Sequence, residues 1–183
     1  MEHKDYKLEI INSLLTSNWH VRGLAKHLGI NHMIVFRKFK ELYEENVLDY
    51  KEEGKNKTYF LKNSVEAQTY IFIAENYKLI KLLKRKSFFR RIIELIQKDN
   101  RISLAIVFGS YAKGLENKNS DIDIYIETNN SKIKKDIENI NSKINVKIGI
   151  YNKNNLLIQE IKKNHVIIKG IEVFYEKFFE EVK

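Results

Sequence analysis

Residues 108–126 read FGSYAKGLENKNSDIDIYI, and the rest of the chain is most easily understood outward from them. Ahead of this stretch, Ile102 to Phe108 is an apolar run of strand length, and behind it Tyr111 to Leu115 can begin a helix. Gly109 and Ser110 therefore occupy a strand-to-helix turn. Free backbone amides and the positive end of a helix dipole converge at such a turn, which makes a phosphate-binding corner. Gly109 lets a phosphate approach the backbone closely, while the Ser110 hydroxyl and the Lys113 ammonium add a donor and a charge. After a ten-residue spacer, Asp121 and Asp123 alternate strictly with Ile122, Ile124 and Ile126. On a strand the two carboxylates share one face, about 7 Å apart along the backbone, and the isoleucines face a core. Like charges this close call for a cation, and hard oxygen ligands suit Mg²⁺, which typically takes one or two carboxylates plus substrate phosphates.

Strand, Gly-Ser, spacer and hydrophobic-flanked Asp-x-Asp together resemble the signature of the DNA polymerase beta nucleotidyltransferase superfamily, over about residues 88 to 178. Within it, the short length resembles the minimal nucleotidyltransferases of archaea and bacteria. The resemblance implies transfer of a nucleoside monophosphate from an NTP, with ATP the expected one, to a hydroxyl acceptor. Asp121 and Asp123 are the implied catalytic and Mg²⁺-binding residues, and Gly109, Ser110 and Lys113 the implied nucleotide-binding ones. Related minimal members modify partner toxin proteins, so a partner protein is one candidate acceptor. Active members also carry a third carboxylate on a later strand, expected here in Ile144 to Ile150. With Val146 and Ile148 facing the core, the site-facing position is Lys147, whose charge would repel Mg²⁺ by several kcal/mol at about 5 Å and an effective dielectric near 20. Glu127 lies about 13 Å along the strand from Asp123. Either another residue, with Glu160 the candidate, completes the site, or the domain binds nucleotide without efficient turnover. His165, near the end of an expected C-terminal helix, reads as a packing or capping residue.

The N-terminal third has a different pattern. Tyr6, Ile10, Ile11, Leu14 and Leu15 make one helical stripe, and a second short helix over Val21 to Leu28 stops at Gly29. Asn31 then caps a third helix, His32 to Glu45, with Val35, Phe36, Phe39 and Leu42 as its apolar face. Val47 to Tyr50 and Thr58 to Leu61 are strand-like runs around a polar, Gly54-containing loop. The block VRGLAKHLGINHMIVFRKFKELYEENVLDYKEEGKNKTYFL resembles the winged helix-turn-helix of prokaryotic transcription regulators. Carried over by position, that resemblance points to DNA contacts from Asn31, His32, Arg37, Lys38 and Lys40, with Lys55 and Lys57 on the wing. Glu41, Glu44 and Glu45 share the helix and would repel phosphate if they faced it, and winged helices also serve as docking modules. The spacing of His20, His27 and His32 does not make a metal set.

Between these regions, residues 65 to 97 are helical in pattern without Pro or Gly, as one helix or as two broken near Lys86-Ser87, with Tyr70, Ile73, Tyr77, Ile80 and Leu83 and then Phe88, Ile92, Leu95 and Ile96 at the apolar spacing. Lys78, Lys81, Lys84, Arg85, Lys86, Arg90 and Arg91 form the densest basic region, either a solvated face or support for a nucleic-acid or nucleotide site. The chain has 183 residues and a net charge of +9, which suits a polyanionic partner or a simply Lys-rich surface. It has no cysteine, which excludes disulfides, thiolate catalysis and Cys-based zinc sites. Apolar runs fall short of a bilayer span and Met1 to Ile10 lacks the order of a secretory signal, so a cytoplasmic location with no membrane contact is expected.

The expected fold class is α+β, with a winged helix-turn-helix over residues 1–63, a connecting helix over 64–87 and a nucleotidyltransferase domain over 88–183. That domain should hold a small mixed sheet of about three strands flanked by helices, including Ser131 to Ser142 and Asn155 to Lys163. Two functions stay open. One is a Mg²⁺-dependent nucleotidyltransferase delivered by its winged helix to DNA, tRNA or a partner protein. The other is a DNA-binding transcription regulator whose degenerate transferase domain binds nucleotide or dimerises. A homodimer is expected because winged helices usually work in pairs.

Overall fold

A computed structural model describes residues 4–54 and 56–179. The chain divides into two compact units, residues 1–77 and 78–183, with the boundary inside a long helix.

In the first unit, Asp5 caps α1 (Tyr6–Leu14) by accepting from the amides of Lys7 and Leu8 at 3.0 and 3.3 Å. The chain passes through β1 (Trp19–His20) into α2 (Val21–Leu28), which ends at Gly29 in the left-handed conformation, φ 65°. Asn31 Oδ1 accepts from the Met33 amide at 2.8 Å and starts α3 (His32–Glu44). The wing follows as β2 (Leu48–Glu53) and β3 (Asn56–Leu61), an antiparallel hairpin in register Leu48 to Leu61 through Glu53 to Asn56. Both strands run further into the expected polar loop than their apolar residues indicated, because cross-strand pairing carries the ladder through Lys51, Glu52 and Glu53. β1 adds a third strand, giving the order β1-β3-β2, through the pairs Trp19 with Tyr59 and His20 with Thr58. Ile10, Ile11, Leu24, Val35, Phe39, Leu42 and Leu48 are fully buried and hold the helices to the sheet. Each such side chain contributes about 1.5–3 kcal/mol over an exposed one. Phe36 departs from the expected stripe: it is 46% exposed.

The helix α4 (Val65–Arg85) crosses the boundary between the units; Ala67 and Ala74 pack into the first core, and Leu79 and Leu82 into the second. The helical pattern breaks after Arg85, and α5 (Phe89–Lys98) begins beyond Phe88. Its buried face is Phe89, Ile92, Ile93 and Ile96, one position off the expected stripe at both Phe88 and Leu95, which are exposed. On α4 itself, Ile73 and Ile80 of the expected spacing are 46% and 47% exposed, so on both helices the buried face is set by what packs against it and not by spacing alone.

The second unit is built on a four-stranded mixed sheet in the order β6-β5-β4-β7. From β4 (Ala105–Val107) the chain enters α6 (Gly109–Lys113) and returns as β5 (Ile122–Glu127), antiparallel to β4. A crossover through α7 (Ser131–Glu138) places β6 (Ile144–Gly149) parallel to β5. After α8 (Leu156–Lys163), β7 (Val166–Lys169) joins the other side of β4, and α9 (Ile171–Phe179) follows. β7 is a strand beyond the three expected, because a run of three apolar residues before Lys169 carries no periodicity of its own. Ile122, Ile124 and Ile126 pack into one core, while Tyr125 packs into a second core on the other face with Ile106, Ile158, Ile167 and Phe174. The sheet is thus covered by apolar side chains on both faces. Among the described residues, no helix is long and apolar enough to cross a membrane.

Candidate functional site

The turn after β4 and the start of β5 meet in the second unit. The Phe108 amide donates to the Asp123 carbonyl at 3.0 Å, which fixes the turn against the strand. Gly109 has φ +67°, and a β-carbon built on it would lie 2.6 Å from Asp123 Oδ2. The backbone conformation strains any side chain there, and one would have to displace the Asp123 carboxylate. Gly114, with φ +69°, closes α6, and Arg85 fills the space beside it while donating from Nη2 to the Tyr111 carbonyl at 3.3 Å. Part of the basic stripe on α4 is therefore engaged in holding the end of this turn.

Asp123 is half-buried on β5, and Asp121 is exposed immediately ahead of the strand rather than on it. Burial pushes the Asp123 carboxyl above the ordinary aspartate range, and the negative charges of Asp121 and Glu160 push the same way. A hydrogen bond from Asn145 and the positive charge of Lys147 oppose that shift. The shift expresses the mutual cost of gathering carboxylates in a partly dry site, which a bound cation relieves.

The third position differs from the sequence expectation. The parallel register pairs Asp123 with Asn145, and Asn145 Nδ2 donates to Asp123 Oδ1 at 2.9 Å. Lys147 lies one step further along the same face, opposite Tyr125, and is exposed. Reading Lys147 as the residue beside the aspartates thus placed it two residues too far along β6. The alternation along β6 is the expected one, but the inter-strand offset is set by pairing and not by either strand alone. Glu160 contributes to the field at Asp123, yet its carboxylate accepts from Lys113 Nζ at 2.8 Å. Lys113, Glu160, Asp123 and Asn145 therefore belong to one polar neighbourhood beside Gly109. Ser110 is half-buried at the start of α6. Glu127 is held elsewhere, accepting from the Tyr151 amide and from Lys177 at 3.2 and 2.5 Å. His165 is buried against Phe174, its Nδ1 at 2.8 Å from the Ile161 carbonyl and Nε2 at 3.4 Å from Lys78 Nζ, in a packing role. It directly follows Asn164, the C-cap of α8, reaches a carbonyl of that helix's last turn and leads into β7.

The donors present fit one hard divalent cation: two carboxylates, one of them raised in pKa by burial and further by the other's charge, and the carboxamide oxygen of Asn145 as a neutral ligand. They do not supply a third carboxylate, and among the described residues no group of three or more His, Cys, Asp or Glu side chains is gathered for a metal.

In the first unit, Asn31 at the N-cap of α3 and His32, Arg37 and Lys40 on the helix are exposed. Lys40 lies 3.7 Å from Glu44. Lys38 is engaged, donating to both oxygens of Glu41 at 2.9 and 3.0 Å, so the acidic residues of this helix absorb one of its expected contacts. Lys57 sits on β3 with its ammonium 3.8 Å from the centre of the Tyr50 ring, and Lys55 lies outside the described residues. His20 packs over Gly23, and His27 stacks on Trp19 with ring centres 4.9 Å apart. Sequence reasoning missed Arg22, Met33 and Phe36, all exposed on this surface. Phe36 was assigned inward by its spacing, and only the packing of α3 reveals otherwise.

Residues 90–172 match the family model described as Polymerase beta, Nucleotidyltransferase. The chain as a whole thus combines a winged helix-turn-helix with a polymerase-beta-like nucleotidyltransferase fold. No curated protein matches the chain. Among solved structures, a toxin-antitoxin crystal structure with AMP-PNP is 22% identical over 57% of this chain and 79% of that one, with a TM-score of 0.35. Reduced HlyU from Vibrio cholerae is 19% identical over 40% of this chain and 77% of its own, TM-score 0.35. The adhesin competence repressor AdcR from Streptococcus pyogenes is 15% identical over 49% and 68%, TM-score 0.41. At these identities and scores the three likenesses add nothing to the functional reading.

Proposed function

We propose that this protein is a nucleotidyltransferase that moves a nucleoside monophosphate from an NTP to a hydroxyl acceptor, and that its winged helix binds DNA. The observation that carries the reading is the seating of the Asp123 carboxylate directly over Gly109 in the turn that opens α6. In this reading the amides at Gly109 and Ser110, with Lys113, hold the triphosphate, and ATP is the expected donor. Asp121 and Asp123 hold Mg²⁺, which when bound neutralises charge on the phosphates. The acceptor oxygen bonds to the α-phosphorus, the bond from that phosphorus to the bridging oxygen of the β-phosphate breaks, and pyrophosphate leaves. The acceptor proton passes to solvent or to a carboxylate of the site. Asn145 orients Asp123 through its hydrogen bond, and Lys113 must exchange Glu160 for phosphate when the nucleotide enters. The acceptor is a hydroxyl on nucleic acid or on a partner protein, and two copies of the chain work together on DNA.

A second reading is favoured by one observation. Asn145 stands beside Asp123 where a carboxylate would help activate the acceptor, and a neutral amide cannot take its proton. In that reading the second unit binds nucleotide and the protein regulates transcription. Incubation with α-labelled NTP and Mg²⁺ separates the two. Label transfer to an offered acceptor that is lost in Asp121→Ala and Asp123→Ala supports the enzyme. Nucleotide binding and DNA retardation without transfer support the regulator.

A further inference from the structure

We propose that the cleft between α3 and the wing of the first unit accepts an unpaired nucleotide of a single-stranded nucleic-acid segment, with Phe36 as stacking platform and Arg22 and Lys57 as phosphate contacts. The proposal rests on the DNA-binding part of the reading above and is independent of the transferase chemistry. The cleft has a volume of about 490 Å³ and is walled by Arg22 from α2, Met33 and Phe36 from α3, and Lys57 and Tyr59 from β3. Val35, Phe39 and Leu42 form the fully buried stripe of α3, and Phe36 follows Val35 by about 100° around the helix, which turns it out of the core. Phe36 and Met33 are 46% and 50% exposed, two large apolar side chains left to solvent inside a concavity. Tyr59, itself buried, backs the cleft and is braced by Phe39 with ring centres 4.3 Å apart.

The charges complete the argument. Arg22 and Lys57 line the cleft, and no carboxylate is among its described lining residues. Glu52, which pairs with Lys57 across the hairpin, lies outside that lining. An occupant must therefore combine a flat apolar face with negative charge. A base with its phosphate does so. In a duplex the base faces are hidden in the stack, and at the edges an apolar side chain such as Phe36 meets only the thymine methyl. An unpaired base exposes its face to an aromatic side chain while a cationic groove follows the backbone.

Fluorescence anisotropy on the full chain tests this with a labelled single strand, a blunt duplex of the same sequence and that duplex with a single-stranded extension. The single strand and the extended duplex are expected to bind about tenfold tighter than the blunt duplex. Phe36→Ala should abolish that preference with an unchanged thermal midpoint, and Phe36→Trp should retain it. Arg22→Gln should lower the slope of log affinity against log salt by about 0.7. Equal or tighter binding of the blunt duplex, with Phe36→Ala neutral, overturns the proposal and leaves DNA binding intact. Failure of every probe to bind overturns both. Uptake of 1-naphthoate, read by NMR shifts that Phe36→Ala removes, with no preference for unpaired strands, overturns it in favour of a small aromatic anion.

Discussion

Asp123 and Gly109 are in contact: the Asp123 Oδ2 oxygen lies 2.6 Å from where a β-carbon on Gly109 would stand. Gly109 also has φ +67°, so an added methyl meets both backbone strain and a carboxylate. Gly109→Ala is expected to destabilise the second unit by about 1–3 kcal/mol in denaturant titrations. It should also weaken NTP binding, because the side chain displaced is the one proposed to hold Mg²⁺.

Asn145 offers the sharpest test of the site's chemistry. Asn145→Asp places a further carboxylate against Asp123, whose carboxyl burial already raises. Without divalent ions the variant should lose about 1–2 kcal/mol of stability through like-charge repulsion. Mg²⁺ should restore that loss, with a larger rise in melting temperature than in the parent protein. A variant as stable as the parent without metal, and indifferent to Mg²⁺, would count against a cation site between these strands.

Lys113 and Glu160 are both partly exposed and pair at 2.8 Å. Exposed pairs contribute about 0–1 kcal/mol. Releasing Lys113 by Glu160→Gln is therefore expected to tighten NTP binding by up to about fivefold in calorimetry, and Lys113→Ala to weaken it.

The pH dependence of stability has one clear contributor in Arg101 and Asp99. Hydrogen bonds from the Arg101 guanidinium, at 2.6 to 3.1 Å, hold the Asp99 carboxyl below its usual range. Because the folded value lies below the unfolded one, near 3.9, the contribution is complete above the unfolded value. It is lost as pH falls through the folded one. Arg101→Gln should lower stability only slightly at neutral pH, since the pair is partly exposed. The gap between variant and parent should close in acid, as measured by urea titrations across pH.

Phe88 and Phe89 are adjacent but opposite in role, 43% and 0% exposed. Phe89→Ala should cost about 3–5 kcal/mol. Phe88→Ala should cost a small fraction of that in the same denaturant experiment.

By itself the sequence determined the elements whose signals are local. Asn31, with the apolar spacing behind it, marked the start of α3, Gly29 the end of α2, and the alternation of Asp and Ile placed Asp123 on a strand with its isoleucines in a core. The tertiary structure decided what depends on partners distant in the chain. Which residue stands beside Asp123 is set by the parallel register with β6, which makes it Asn145 and not Lys147. Whether Phe36 belongs to the core or to a cleft is set by what packs on α3. Periodicity is written along one segment, whereas register and the turning of a helix about its axis are chosen by the surfaces two segments bury against each other.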